Sequence, residues 1–243
     1  MSRGETLALV AAGEVPERYQ RNVGTIGIAG QARLLAAKVA VVGAGGLGGT
    51  VVELLARQGV GCLRVIDGDT FALHNLNRQL LATEDNIGEN KAIAAAARVT
   101  QINTDVTVEG VPRMLDAGNA AEILTGVDVI VDCLDSIDVR LLLGRTARQL
   151  GIPLVHAAIA GFTGQVATIL PGDPGLEKIY RISAGTDKGI ETTLGNPAPT
   201  PTIAAALQAQ EVVKLITGVG EPLSRRLFYF DTELNIFEII TIT

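Results

Sequence analysis

The chain has 243 residues and a formal net charge of −6, and 47% of its residues are hydrophobic. This length allows one α/β core with an elaboration, and the acidic balance argues against non-specific binding to nucleic acid. Glycines and charges interrupt every apolar run before the ~20 residues that a membrane span needs, so no membrane association is expected. Two cysteines, Cys62 and Cys133, form no disulfide framework and indicate a cytoplasmic location.

Residues 1–16 are predicted to be a flexible lead. Their apolar run, Leu7 to Ala12, is six residues long and therefore too short for a secretory signal. A glycine-rich turn and a short helix over Gln31 to Ala37 are predicted to follow. Arg18 and Arg21 precede that turn, and from their charge alone they are interpreted as a solvated basic pair.

A second glycine-rich turn follows the first buried strand, which begins at Val39. Gly43, Gly45 and Gly48 match the pattern G-x-G-x-x-G, and Asp67 follows Gly48 by 19 residues at the end of a second strand. In a βαβ unit such a turn lets backbone N–H groups approach a phosphate, while the acid binds a ribose hydroxyl. The stretch therefore predicts a nucleotide site without specifying the nucleotide or the reaction.

A polar segment, residues 68–79, comes directly after this second strand. It is too polar for a strand and too irregular for a long helix, and it contains Asp69, Asn75, Asn77, Arg78 and Gln79. Loops at the carboxyl ends of strands are where open α/β sheets bind ligands. We therefore expect this segment to face a ligand.

Lys91 lies at the start of an alanine-rich helix that runs through Ile102. The helix dipole disfavours a cation at this end. Two interpretations are open: the charge faces a bound anion, or Glu89 offsets it.

A later buried strand, from Val127, ends in two acids, Asp132 and Asp135. Ser136 can cap the helix that follows, which is predicted to run to Leu150. A carboxylate at the end of a parallel strand is costly unless it binds a metal, a ligand or a helix N-terminus. Helix capping and metal binding are therefore both open for Asp135.

The rest of the chain predicts mainly strands. One strand is predicted over 153–158, and 164–170 is interpreted as the first of several antiparallel strands. Residues 171–198 have little periodicity, and loops of this length are typical of functional lids or binding segments. A helix over about 202–217 and two strands, 226–230 and 235–242, are predicted to close the chain.

These motifs together resemble a known family. The chain is similar to the adenylation domain of the ubiquitin-activating superfamily, specifically its bacterial ThiF/MoeB/HesA branch of sulfur-carrier adenylyltransferases. The motifs that match in order and spacing are Arg18 to Asn22, Gly43 to Gly48, Asp67 to Asp69, Asn75 to Gln79, Lys91 and Asp132 to Asp135. Gly161 to Gln165 and the helix before Gly218 also match, so the resemblance covers about residues 17–242.

The resemblance implies an α/β fold: a Rossmann-like, mainly parallel central sheet with helices on both faces, continued by antiparallel C-terminal strands and a long crossover loop. Residues 17–243 would form a single adenylation domain. Within it, 39–158 would be the nucleotide-binding half. Residues 159–243 would be the carrier-binding half, with the crossover loop at about 171–196.

The resemblance also implies a reaction. The C-terminal glycine carboxylate of a small ubiquitin-like carrier protein, ending in Gly-Gly, would attack the α-phosphorus of ATP and release pyrophosphate. A carboxylate nucleophile is already ionised at neutral pH, so no general base is needed. Neither histidine of the chain, His74 or His156, is therefore expected to be catalytic.

Site residues follow from the same resemblance. Asp67 would hold the ribose, Arg78 and Lys91 the phosphates, and Asp135 Mg²⁺, with Asp69 as a helper. Arg21 would reach the γ-phosphate of ATP in the neighbouring subunit of a homodimer. The remaining residues expected to contact the nucleotide are Gly43, Gly45, Gly46, Gly48, Asn75, Gln79 and Ser136.

The chain also lacks two features that enzymes of this family often carry, a structural zinc site and a cysteine in the crossover loop. It has no C-x-x-C pair, so no structural zinc site with four cysteines can form. The expected crossover loop has no cysteine, which predicts adenylation without an enzyme thioester on that loop. Cys62 and Cys133 are assigned structural roles. Ser136 stands where many members have Asn.

Three alternatives remain open. An NAD-dependent oxidoreductase explains the glycine turn and Asp67 but leaves Arg78, Lys91 and Asp135 without a role. A non-catalytic partner-binding relative would retain the fold, and a tRNA-modifying relative is disfavoured by the acidic balance. The carrier and its pathway, whether thiamine, molybdopterin or cysteine synthesis, are not specified by the sequence.

Overall fold

The computed structural model describes residues 3–180 and 194–242. Its centre is one sheet of eight strands, which are β1 (Lys38–Val42), β2 (Cys62–Ile66), β3 (Thr107–Val111), β4 (Val129–Asp132), β5 (Leu154–Ala160), β6 (Thr163–Ile169), β7 (Arg226–Asp231) and β8 (Ile236–Thr241). Their spatial order is β3-β2-β1-β4-β5-β6-β7-β8. The strands from β3 to β5 in this order are parallel, and β6, β7 and β8 continue the sheet antiparallel. The expected fold class is confirmed.

Helices cover both faces of the sheet. They are α1 (Arg3–Ala11), α2 (Gln20–Ala36), α3 (Gly46–Gln58), α4 (Lys91–Ile102), α5 (Ala120–Leu124), α6 (Ile137–Leu150), α7 (Leu176–Ile179) and α8 (Pro199–Thr217). Alternate residues of β1 point to opposite faces. Val39 and Val41 join the apolar core under α3, α4 and α8, whereas Ala40 and Val42 join the core under α5, α6 and α7. Burial on both faces explains why β1 is a continuous apolar run.

The predicted helix ends are largely confirmed. Gly59 and Gly151 follow α3 and α6 in the left-handed conformation, with φ of 81° and 69°. Ser136 caps α6, because its hydroxyl oxygen accepts a hydrogen bond from the Val139 N–H at 3.5 Å. No helix among residues 3–180 and 194–242 has both the length and the apolar character needed to cross a membrane.

The prediction of a flexible lead over 1–16 is wrong, because residues 3–11 form α1. Thr6 and Val10 on this helix are buried. The Thr6 hydroxyl donates to the buried Asp105 carboxylate at 3.0 Å, and the Tyr19 hydroxyl lies 3.3 Å from the same oxygen. A contact between residues so far apart in the chain leaves no local signal in the sequence.

Other element boundaries also differ. The helix predicted over Gln31 to Ala37 begins earlier, at Gln20, and is broken at Gly27, where φ is 69°. The helix predicted from about residue 202 begins at Pro199. Part of the expected crossover loop, 171–196, contains α7, and residues 181–193 of that loop lie outside the described residues.

Candidate functional site

A cavity of about 500 Å³ lies at the carboxyl ends of β1, β2 and β4. This is the edge of the sheet at which the sequence places the glycine turn and the strand-end acids. The predicted site residues that line the cavity are Gly43, Gly45, Gly46, Asp67, Asp69, Arg78, Gln79, Lys91, Asp135 and Ser136. The remaining predicted residues, Arg21, Gly48 and Asn75, do not line it.

The glycines of the turn have two different functions. Gly43 has a φ of +94°, and a side chain there would approach the Cys133 carbonyl oxygen to 2.5 Å. A Cβ at Gly48 would lie 1.8 Å from the Gly43 carbonyl oxygen, so Gly48 is required for packing inside the turn. Gly45 and Gly46 line the cavity where α3 begins. The unsatisfied N–H groups at a helix N-terminus form a site for an anion such as phosphate.

Asp67 joins the turn to the loop after β2. One of its carboxylate oxygens accepts a hydrogen bond from the Ala44 N–H at 2.7 Å, and the other accepts from the Asp69 N–H at 2.8 Å. Burial raises the pKa of Asp67, and the two N–H donors oppose that rise. A carboxylate has about four acceptor positions, so these bonds leave capacity for ribose hydroxyls.

Lys91 contributes a buried cation at the start of α4. Its side chain is 7% exposed in the folded chain, and its ammonium nitrogen lies 3.1 Å from an Asp69 carboxylate oxygen. Asn90 caps this helix by accepting from the Ala92 N–H at 3.0 Å, and its amide group donates to the carbonyl oxygens of Asp67 and Asp69. The charge therefore faces the cavity and is paired with Asp69 rather than Glu89.

The polar segment after β2 forms a tight turn with a short 3₁₀ helix, Leu73–Asn75. Asn75 is buried and shapes this turn, because its amide oxygen accepts from the Ala72 N–H at 3.0 Å. Arg78 donates from one guanidinium nitrogen to the His74 carbonyl at 3.0 Å and to the Asn77 amide oxygen at 2.8 Å. These bonds fix the Arg78 guanidinium in the wall of the cavity.

Two buried amide oxygens in the cavity wall lack a hydrogen-bond partner within the described part of the chain. They belong to Gln79 and Asn196. A buried polar atom without a partner costs about 1–3 kcal/mol, so each is expected to gain one from a ligand. Asn77 connects Asn196 to Arg78, since its amide nitrogen donates to the Asn196 carbonyl at 3.2 Å.

The two acids at the end of β4, Asp132 and Asp135, have different environments in the structure. Asp132 is fully buried and hydrogen-bonds to His156 Nδ1 at 2.7 Å. Asp135 is exposed and lines the cavity, and the capping role belongs to Ser136. Of the two interpretations of Asp135, capping is therefore excluded.

The residues around Asp135 fit a magnesium ion that is shared with a nucleotide. Mg²⁺ is usually held by one or two carboxylates together with substrate phosphates rather than by an all-protein cage. Asp135 supplies one such carboxylate beside the glycine turn, and Asp69 lines the same cavity. Among residues 3–180 and 194–242, no group of three or more His, Cys, Asp or Glu side chains could hold a metal alone.

Sequence reasoning missed several lining residues, notably Arg113, Arg140 and Asn196. Arg113 follows β3 and could have been found, since it lies at the same edge of the sheet as Asp67. Arg140 lies one helical turn after Ser136 on α6. Asn196 follows a segment without periodicity and had no signal. Arg21, by contrast, is exposed at the start of α2 and does not reach the cavity of its own chain.

Both cysteines are buried. Burial raises the pKa of the Cys62 thiol and raises that of Cys133 well above its ordinary value. The Cys133 sulfur lies 3.7 Å from the Gln208 amide oxygen. A nucleophilic cysteine needs the thiolate form, so these environments agree with the structural roles assigned from the sequence.

Several known proteins are similar to this chain over most of its length. The SAMP-activating enzyme E1 of Haloferax volcanii is 40% identical over 228 residues, which cover 92% of this chain and 84% of that protein. The sulfur carrier protein adenylyltransferase of Thermus thermophilus is 36% identical, with coverages of 93% and 87%. The molybdopterin-synthase adenylyltransferase of Haemophilus influenzae is 33% identical, with coverages of 91% and 93%.

Solved structures share the fold. The structure of selenomethionine PaaA has a TM-score of 0.80 and 25% identity, and the match covers 98% of this chain and 81% of that one. E. coli MccB with MccA-N7isoASN has a TM-score of 0.84 and 23% identity, with coverages of 93% and 72%. At these identities the likeness concerns the architecture.

The sequence profile described as the ThiF family matches residues 19–243, almost the whole chain. The names of the relatives confirm the expectation of an adenylyltransferase and leave the oxidoreductase alternative without support. The resemblance noted from the motifs is also confirmed, and the chain belongs to the ThiF family.

Proposed function

We propose that this chain adenylates the C-terminal glycine carboxylate of a small ubiquitin-like sulfur-carrier protein, with ATP as the second substrate and pyrophosphate as the leaving group. One observation carries the proposal: a single cavity brings together the glycine turn, Asp67, the cations Arg78 and Lys91, and Asp135. An oxidoreductase site would not need the cations or Asp135. The names of the similar proteins support the same chemistry.

The residues of the chain bind and orient the nucleotide in this reaction. The N–H groups at the start of α3 face the phosphates, and Asp67 accepts from the ribose hydroxyls. A carrier carboxylate oxygen forms a bond to the α-phosphorus, and the bond from that phosphorus to the α,β-bridging oxygen breaks. The electron pair leaves with pyrophosphate, and Arg78 and Lys91 stabilise the negative charge of the phosphates.

Asp135 would hold Mg²⁺, which supplies charge neutralisation at the phosphates when it is bound. Asp69 acts mainly through Lys91, because its carboxylate is paired with that ammonium group. No general base is required, since the attacking carboxylate is already ionised. The fully buried His156 is accordingly assigned a structural role rather than a catalytic one.

The proposal also covers the oligomeric state of the protein, and it includes the features that the sequence predicts to be absent. The protein acts as a cytoplasmic homodimer in which Arg21 reaches the γ-phosphate in the partner subunit's site. Exposure of Arg21 and its absence from the cavity of its own chain support this arrangement. The protein uses neither structural zinc nor an enzyme thioester, and it acts on no nucleic acid or membrane.

The test is carrier-dependent exchange between ATP and radioactive pyrophosphate. Purified carriers ending in Gly-Gly, drawn from thiamine, molybdopterin and related pathways, are offered with ATP and Mg²⁺. One carrier should support exchange and acquire an AMP adduct detectable by mass spectrometry, and the same carrier without its last glycine should not. Asp135→Ala should abolish exchange. Hydride transfer to NAD without exchange, or exchange that survives Asp135→Ala, would overturn the proposal.

A further inference from the structure

The backbone of Leu134, directly before Asp135, is held at its N–H and at its carbonyl oxygen by buried side chains. Its N–H donates to an Asp132 carboxylate oxygen at 3.1 Å. Its carbonyl oxygen accepts from Arg140, from Nε at 3.0 Å and also from Nη2. Both backbone polar groups of Leu134 are therefore fixed by residues that the proposed reaction does not otherwise use.

The side chains of Asp132 and Arg140 belong to one connected hydrogen-bond network. Arg140 donates from Nη1 to the Tyr180 hydroxyl, and the Tyr180 hydroxyl lies 3.3 Å from His156 Nε2. His156 Nδ1 in turn lies 2.7 Å from the other carboxylate oxygen of Asp132. The network thus begins and ends at the Leu134 backbone, and it joins β4, β5, α6 and the residue after α7.

The donors and acceptors of this network are consistent with one protonation state. Burial lowers the pKa of His156, which favours the neutral ring. A neutral ring can donate from Nδ1 to Asp132 and accept at Nε2 from the Tyr180 hydroxyl, which itself accepts from Arg140. The cation of Arg140 and the anion of Asp132 balance, which reduces the cost of burying both charges.

We propose that Arg140, Tyr180, His156 and Asp132 form a positioning network that fixes the Leu134 backbone and thereby aims the Asp135 carboxylate at magnesium-bound nucleotide. They are positioning residues, because they act through the peptide before Asp135. The inference rests on the proposed function only in taking Asp135 as the magnesium ligand. Partners that orient a metal ligand in this way typically change metal affinity by 10-fold or more when they are removed.

Tyr180→Phe tests the network, since it removes one hydroxyl and keeps the ring. Tyr19→Phe is the matched control, because the Tyr19 hydroxyl is also hydrogen-bonded but contacts Asn103 and Asp105 instead. Binding of α,β-methylene ATP is measured by calorimetry in Mg²⁺ and in EDTA. Tyr180→Phe should raise the dissociation constant about 10-fold in Mg²⁺ and leave it unchanged in EDTA. Tyr19→Phe should change neither.

The outcomes separate this inference from the proposed function. Unchanged binding of Tyr180→Phe in Mg²⁺, or an equal loss in Mg²⁺ and EDTA, would overturn the network. Thermal unfolding of both variants shows whether either one is misfolded. As a second variant, His156→Asn keeps a donor toward Asp132 and should lose less magnesium-dependent affinity than His156→Phe. Absence of carrier-dependent exchange in the wild type would overturn the proposed function alone, because the nucleotide titrations need no carrier.

Discussion

The ammonium group of Lys91 lies 3.1 Å from the Asp69 carboxylate, although Lys91 stands in the first turn of α4. The helix dipole disfavours a cation there, and the lysine side chain is nearly fully buried. Asp69 is largely exposed, and pairs with an exposed partner contribute at most about 1 kcal/mol. The placement of Lys91 is therefore poor for stability and well suited to binding an anion.

Replacing Lys91 with Met should separate activity from stability. We expect carrier-dependent exchange to fall at least about 100-fold, the usual cost of losing one charge-stabilising donor. The midpoint of thermal unfolding should stay the same or rise, because an unfavourably placed cation is removed.

Lys214→Met is the matched control. Lys214 lies in the last turn of α8, where the dipole favours a cation, and it pairs with the buried Glu211. This variant should unfold at lower temperature and retain exchange. A Lys91→Met protein that keeps exchange would contradict the assignment of Lys91 to the phosphates.

Mixed dimers test whether Arg21 acts across the subunit interface. Arg21→Ala and Asp135→Ala should each be inactive alone. When the two are co-expressed, each mixed dimer has one complete site, so about a quarter of wild-type exchange should return. If Arg21 served its own subunit, the mixture would stay inactive.

Gly48→Ala should destabilise the protein by about 3 kcal/mol, because the new Cβ would lie 1.8 Å from the Gly43 carbonyl oxygen. Denaturant unfolding measures the change. Gly24→Ala in α2 is the control, since its Cβ would meet nothing within 4 Å, and it should be neutral or stabilising. Equal stability of Gly48→Ala and wild type would contradict the described turn.

Glu53 should make stability depend on pH. Hydrogen bonds from Arg98, and also from Arg57, lower the pKa of this carboxyl below its ordinary value of 4.5. The folded state therefore gains stability from ionised Glu53 at pH values above about 4.5 and loses it as the pH falls through the lowered pKa.

Glu53→Gln should thus be less stable than wild type by about 1 kcal/mol at pH 7, a value that allows for the partly exposed arginines. The difference should shrink below pH 4. Denaturant melts across this range measure it, and a difference that grows toward low pH would contradict the assigned direction.

Where a local rule applied, the sequence predicted residues that the structure brings together in the cavity. The glycine turn, Asp67 and Asp135 were found because they follow strands whose carboxyl ends meet at one edge of a parallel sheet. Lys91 was likewise singled out because the helix dipole disfavours a cation at the start of a helix. Ser136 was identified as a cap from its position before α6, and the structure confirms it.

Contacts between distant parts of the chain could not be predicted in this way. The bond of Thr6 to Asp105 spans 99 residues, and it converts an apparently loose segment into the buried helix α1. Arg140 was overlooked because its guanidinium also donates to the Tyr180 hydroxyl, a contact that spans 40 residues. In both cases the partner is defined by packing of elements that are far apart in sequence.

The bond between Asp67 and the Ala44 N–H closes the glycine turn. Glycine-rich loops lose more conformational entropy on ordering than any other backbone. Here that loss occurs during folding, so an arriving nucleotide meets a preorganised turn. Under the proposed function, Asp67 should therefore contribute to the affinity even for nucleotides that lack ribose hydroxyls, because without its carboxylate the turn would have to be ordered at the moment of binding.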